Sequence, residues 1–142
     1  MSKKVLVPVD GSEQSETALE YALEEFPDAN ITAINVLDPI DAGYNAPVGV
    51  PGGSENWYEN AKAQSETLLE GAQETADEYG TTLETATEMG RPSSVIVEYA
   101  EEEGFDQIIM GSHGRSGVSR ILLGSVAETV VRRATMPVTV VR

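Results

Sequence analysis

The sequence predicts an open α/β fold, a mostly parallel sheet covered by helices on both faces. Three observations predict it. Short apolar runs alternate with longer stretches of helical periodicity in the order βαβαβαβαβ, and parallel neighbours need crossover helices of this kind, with right-handed connections. The first run, Val5-Leu6-Val7-Pro8-Val9, is continuously apolar, as a strand buried on both faces is. Glycine, serine and aspartate cluster directly after two of the apolar runs, at the strand ends where such sheets bind ligands.

Residues 5–9 form the first expected strand. Pro8 fits only near its end, because proline withholds a ladder donor. Asp10-Gly11-Ser12 break the run, and Ser12 is placed as the N-cap of a helix. In that helix Ala18, Leu19, Ala22, Leu23 and Phe26 recur at helical spacing until Pro27. Residues 31–37 make the second strand, closed by Asp38-Pro39. The connection 38–53 holds Pro39, Gly43, Pro47, Gly49, Pro51, Gly52 and Gly53, long enough to be read as a functional or mobile loop. Ser54 opens a long helix that Gly80 closes as its C′ residue, with Trp57 and Tyr58 as packing residues. The threonine-rich alternation over 81–88 predicts a more exposed strand at a sheet edge. Pro92 suits a first helical position, and Val95, Ile96, Tyr99 and Ala100 form a stripe that ends before Gly104. A fourth strand at 107–110, a helix beginning near Ser125 and a fifth strand at 137–141 complete the order.

The chain of 142 residues carries 24 acidic side chains against 9 Lys plus Arg, a formal charge of −15. One domain over 1–142 is expected at this length, and a hydrophobic fraction of 40% is too high for a disordered acidic chain. The charge disfavours nucleic acid and anionic membrane surfaces as partners, leaving a small anionic ligand with its own pocket. Only Lys3, Lys4 and Lys62 are lysines. That skew resembles the lysine-poor proteins of salt-loving cells, where a Debye length of about 3 Å in ~1 M salt tolerates self-repulsion. The absence of cysteine excludes disulfides and thiolate chemistry. The first apolar run falls short of the ~7–15 residues of a signal core, and no run spans a membrane, so the cytoplasm is the expected location.

The chemistry concentrates after the fourth strand, in the spacing Gly111-x2-Gly114-x9-Gly124-Ser125. Glycines at 111 and 114 would let main-chain N–H groups approach a phosphate without a Cβ in the way. Gly124 and Ser125 would open a helix whose first N–H groups favour an anion. Ser125 and Glu128 also match a Ser-x-x-Glu capping box. The segment is not a Walker A loop, since no Gly-Lys-Ser/Thr follows and the nearby cations are Arg115 and Arg120. Asp10, at a strand end, faces the expected ligand crevice; its alternative role is a hydrogen-bonded turn aspartate. His113 is the only histidine and is read as incidental.

These residues resemble the universal stress protein family, in its ATP-binding branch, over nearly the whole chain. The resemblance rests on the stretches 5–12, Ile34-Asn35-Val36, Met110-Gly111-Ser112-His113-Gly114-Arg115 and Leu123-Gly124-Ser125-Val126-Ala127-Glu128. It implies a Rossmann-like, adenine-nucleotide alpha hydrolase-like sheet in strand order 3-2-1-4-5, a homodimer through the last strand at 137–141, and ATP across the ends of strands 1 and 4. Carried over position by position, the backbone around Pro8, Val9 and Val36 would flank adenine and Asp10 would bind the ribose or a nearby polar edge. Met110 and Gly111 would line the cleft, and Gly114, Gly124, Ser125 and Val126 would hold the phosphates; Arg115 either meets the phosphates as well or lies on the surface.

Three functions stay open on the sequence. The first is a homodimeric ATP-binding regulator of the stress response. The second is a slow ATP hydrolase, with Mg or Mn on the phosphates and Asp10 or Glu128 orienting water. The third is a nucleotide-free dimeric scaffold. Paired carboxylates, a Walker B signature and an arginine finger are missing from the sequence, so no catalytic residue is assigned.

Overall fold

The computed structural model describes residues 2–40, 53–112 and 123–142. In chain order these form β1 (Lys4–Pro8), α1 (Glu13–Glu25), β2 (Asn30–Leu37), α2 (Gly53–Glu78), β3 (Leu83–Met89), α3 (Pro92–Glu102), β4 (Gln107–Gly111), α4 (Ser125–Arg133) and β5 (Val138–Val141). The strands make one sheet in the order β3-β2-β1-β4-β5, every neighbouring pair parallel. The expected architecture and strand order are therefore observed. Residues 41–52 of the long connection and 113–122 of the glycine-dense segment, with His113, Gly114, Arg115 and Arg120, lie outside the described residues.

Alternation along the central strands divides the core into two layers. Val5, Val7, Ile31, Ala33 and Ile109 face α1 and α2, meeting Ala18, Leu19, Ala22 and Leu23 of the first helix and Leu69, Ala72 and Ala76 of the second. Leu6, Ile34, Ile108 and Met110 face α3 and α4, packing on Ile96, Val97, Ala100, Ala127 and Val130. Because both faces are covered, the central strands read as continuous apolar runs. The edge strand β3 does not: beyond Leu83 it is largely exposed. Each fully buried Leu or Ile contributes roughly 1.5–3 kcal/mol, so these layers hold the sheet against the repulsion of the acidic surface.

Helix ends follow the local chemistry. The Ser12 hydroxyl accepts from Ser15 N–H at 3.1 Å as the N-cap of α1. Pro92 stands in the first turn of α3. After α2, Gly80 adopts φ +69, Thr81 N–H donates to Ala76 O and Gly80 N–H to Asp77 O, each at 3.0 Å. This is a Schellman closure, which requires the left-handed residue that glycine supplies.

The surface shows little charge compensation. Among the described residues one salt bridge is formed, Arg132 to Glu128 at 2.8 Å, both side chains exposed, and exposed pairs of this kind contribute little. Two of the three lysines sit at the N-terminal end of the sheet. Lys3 lies over the Phe26 ring, and Lys4 lies over Phe105 and donates to Glu103 O. The negative field is felt by tyrosines. A hydrogen bond to Glu24 is the main cause holding the Tyr79 hydroxyl above the ordinary tyrosine range. Burial, then Glu103, Glu88 and Glu84, do the same to Tyr99.

At the other end of the sheet β4 passes very close to α1. A Cβ built on Gly111 would stand 2.7 Å from Gln14 Cβ, 2.8 Å from Gln14 C and 2.9 Å from Gln14 O. Backbone atoms in a packed helix cannot yield cheaply, so Gly111→Ala should destabilise the chain by about 1–3 kcal/mol through overpacking. Urea unfolding measures this; an unchanged midpoint would mean that the helix can shift.

Candidate functional site

The C-terminal end of the sheet is built around the turn from β1 into α1. Asp10 Oδ1 accepts from Ser12 N–H at 2.9 Å. The buried Ser15 hydroxyl accepts from Asp10 N–H at 3.3 Å and donates to Ser12 O at 3.0 Å. Asp10 is thus the turn aspartate that was one of its two expected roles. The turn uses only one carboxylate oxygen, and among the described residues Oδ2 accepts no hydrogen bond. A half-buried carboxylate with a spare acceptor stands at the strand end.

On both sides of this turn β1 separates from its neighbours early. Toward β4 the pairing extends only through Val5↔Gln107 and Leu6↔Ile108. The next residue of β1 to face β4 is Pro8, which has no N–H to offer. Toward β2 the register runs to Pro8↔Ile34. Val9 N–H still reaches Ile34 O at 2.8 Å, but Val9 O is taken by the Asn35 side chain, whose Nδ2 donates to it at 2.8 Å. In a parallel ladder that carbonyl would receive the N–H of Val36. Among the described residues Val36 N–H has no such bond. Leu37 O accepts from Gly90 N–H on the β3 side, so the alternating Val36 peptide groups face the opposite side, toward the gap beside Val9.

The third wall is the approach to α4. Ser112 N–H donates to Val141 O at 2.8 Å, and Gly124 N–H donates to Ser112 O at 2.7 Å, tying the helix start to the end of β4. Gly124 is the N-cap and no side chain caps the helix. The expected capping box is therefore absent: Ser125 is the first helical residue, one position too late to cap, and Glu128 is paired with Arg132. The amide of Gly124 is also engaged, which removes it as a donor to a ligand. With Glu128 N–H bonded to Gly124 O, the open helix-start N–H groups are those of Ser125, Val126 and Ala127.

The sequence-derived residues divide accordingly. Pro8, Val9, Asp10 and Val36 meet at the end of β1 and β2. Met110 is buried at the end of β4, and Gly111 serves helix packing there, since Gln14 fills the space its Cβ would take. Ser125 and Val126 begin α4; Gly114 and Arg115 are outside the described residues. Sequence reasoning gave no individual role to Asn35, Ser15 or Gln14. The signal for Asn35 was a polar residue near the C-terminal end of a largely apolar strand. Two cavities are bounded by described residues, about 470 Å³ beside Lys3 and Phe26 and about 350 Å³ beside Ala63 and Leu68; Leu68 Cδ1 stands 3.1 Å from a Cβ built on Gly11, so the smaller flanks the β1–α1 turn. The larger is at the opposite end of the sheet, where strand order creates no ligand crevice.

Chemically, the crevice offers a carboxylate acceptor, one main-chain N–H and C=O pair, and a helix start with unpaired donors. Among the described residues no cluster of three or more acidic or histidine side chains could hold a metal ion, and no helix is long and apolar enough to cross a membrane.

Comparison with known proteins agrees with this fold. The model of the universal stress protein family matches residues 1–142. Universal stress protein MJ0531 of Methanocaldococcus jannaschii is 39% identical over 145 residues, covering 99% of this chain and 82% of that protein. The solved structure of MJ0577 from the same organism superposes with a TM-score of 0.83 at 31% identity, covering 99% and 96% of the two chains. A universal stress protein solved in complex with cAMP superposes with a TM-score of 0.72 at 26% identity, covering 99% and 97%. The chain belongs to the universal stress protein family.

Proposed function

We propose that this protein binds ATP in the crevice between the ends of β1, β2 and β4 and the start of α4, and acts as a homodimeric nucleotide-dependent regulator in the stress response. The observation that carries the reading is the pair of unsatisfied main-chain donor sets on either side of the Asp10 carboxylate. Each matches one part of an adenine nucleotide. The Val36 N–H and C=O complement the acceptor N1 and donor N6 of the adenine edge, with Pro8 and Val9 alongside. The spare Asp10 oxygen accepts from ribose hydroxyls. The N–H groups of Ser125 and Val126 and the Ser125 hydroxyl, which caps nothing, serve phosphate oxygens. Gly114 and Arg115 complete the phosphate set by family resemblance. Mg or Mn would ride on the triphosphate, since the described residues offer it no cluster of their own. The cAMP complex of a relative supports the adenine-nucleotide class.

The dimer reading rests on β5. Among the described residues it pairs only with β4, its four residues are half-buried, and Val131 of the neighbouring helix is exposed. The even-numbered residues of β5 turn their N–H groups away from β4, because Ile108 N–H bonds to Pro137 O and Ser112 N–H to Val141 O. The acidic, lysine-poor surface further supports a saline cytoplasm as the working environment.

Isothermal titration calorimetry should show ATP binding by the wild-type chain and about tenfold weaker binding by Asp10→Asn, which keeps the turn acceptor but loses the charged one. No heat of binding and no nucleotide co-purifying from native cells would overturn the reading in favour of a nucleotide-free scaffold. The melting temperature should climb as KCl is raised toward ~1 M, where charge repulsion is screened within about 3 Å; a flat response would remove the saline assignment. Val140→Pro deletes an outward N–H without touching the β4 ladder, and sedimentation should then show a monomer where the wild type is a dimer. A dimer that survives this change uses another face.

A further inference from the structure

We infer that Asn35 is the positioning residue that makes the Val36 peptide available to read the base, by standing in for Val36 in the sheet. This rests on the reading of the crevice as an adenine-nucleotide site and adds to it the residue that sets base selectivity.

The geometry is a substitution of one donor for another. Val9 O lies where the parallel ladder between β1 and β2 would take its next bond, from Val36 N–H. Val9 N–H has already made its half of that bridge, to Ile34 O at 2.8 Å. The second half is made by the Asn35 side chain, Nδ2 to Val9 O at 2.8 Å, and the ladder ends at Pro8↔Ile34. A carbonyl only accepts, so the amide nitrogen of Asn35 must face it. The exchange satisfies the carbonyl of the buried Val9 and leaves the Val36 N–H, with its adjacent C=O, facing the gap.

An apolar side chain at position 35 reverses this. Val9 O would then be left without a partner, and the nearest donor able to supply one is Val36 N–H. The ladder would close by one residue and consume the group proposed to meet adenine N1. Asn35 therefore touches no ligand and acts through Val36. It also fixes Val9 next to Asp10, so the same bond steadies the turn whose other side is held by Ser15.

The test combines amide exchange with base selectivity, in the full-length chain and in Asn35→Leu and Asn35→Ala, so that one poorly folding variant does not decide the outcome. Without nucleotide, NMR hydrogen exchange should find the wild-type Val36 amide exposed while the Ile34 amide is protected. In both variants the Val36 amide should become at least about tenfold slower to exchange. ATP and inosine triphosphate then report on the base, because inosine reverses donor and acceptor at positions 1 and 6. The wild type should prefer ATP by about tenfold or more, and the variants by about twofold or less, with phosphate contacts unchanged. Wild-type nucleotide binding with the same Val36 exchange and the same ATP preference in both variants overturns the role of Asn35 alone. Absence of nucleotide binding by the wild type overturns the reading of the crevice, and this inference with it. A merely structural asparagine would lower the melting temperature without protecting the Val36 amide.

Discussion

The rest of the structure depends on where the central strand stops hydrogen-bonding. In a parallel sheet every main-chain group of a buried strand must find a partner, and an unmet one costs about 1–3 kcal/mol. A strand that paired to its last residue on both sides would leave no room or chemistry for a ligand. Here β1 is released on each side by one residue. Pro8 ends the pairing toward β4 by having no donor, and Asn35 ends the pairing toward β2 by supplying the donor from a side chain. The crevice is the space between these two endings, and its polar groups are those the ladder has given up.

That release is possible because the other end of the strand is held firmly. Lys4 N–H bonds to the Asp106 carboxylate, Asp106 N–H to Lys4 O and Asn30 N–H to Lys3 O. Val5, Leu6 and Val7 are fully buried between two helix layers. The close approach of Gly111 to Gln14 fixes α1 against β4, and the two bonds through Ser112 fix α4 against the same strand end. Burial supplies the stability, and the hydrogen-bond pattern decides where the sheet opens. The tight helix packing at Gly111 also changes the meaning of the first glycine in the G-x2-G-x9-G-S spacing. It is a packing glycine, and its lack of a side chain serves Gln14 before any phosphate.

Much of this was legible from the sequence because the signals were local. Continuous apolar runs gave the buried strands, Ser12 and Pro92 gave helix starts, Gly80 gave a helix end, and the threonine-rich run gave the edge strand. What escaped had a common cause. The roles of Asn35, Ser15 and Gln14 depend on contacts between elements distant in sequence, such as position 35 with position 9 or position 14 with position 111. Periodicity carries no record of such contacts. The capping box failed for a subtler reason. Ser-x-x-Glu reports a helix start to within one residue, and here the preceding Gly124 takes the cap because its N–H is held by Ser112. A tertiary bond shifted a local motif by one position.

The shift has a consequence for how an acidic protein can hold a polyanion. A chain of −15 cannot afford a ring of acids near a triphosphate, and two of its three lysines sit at the opposite end of the sheet, over Phe26 and Phe105. These two lysines therefore stand away from the described part of the site, and recognition there falls to groups at contact distance. Had Ser125 capped α4, its hydroxyl would have consumed one of the helix-start amides. With Gly124 as the cap, three amides and a hydroxyl remain available within one turn, all neutral and all pre-oriented by a helix that Ser112 anchors. Neutral donors on a fixed backbone lose little to salt, whereas cationic side chains would be screened at high ionic strength. On the proposed reading the same rule governs the base, where an uncharged peptide edge is freed by an uncharged asparagine, so both ends of the crevice would use main-chain donors that an ionic medium leaves intact.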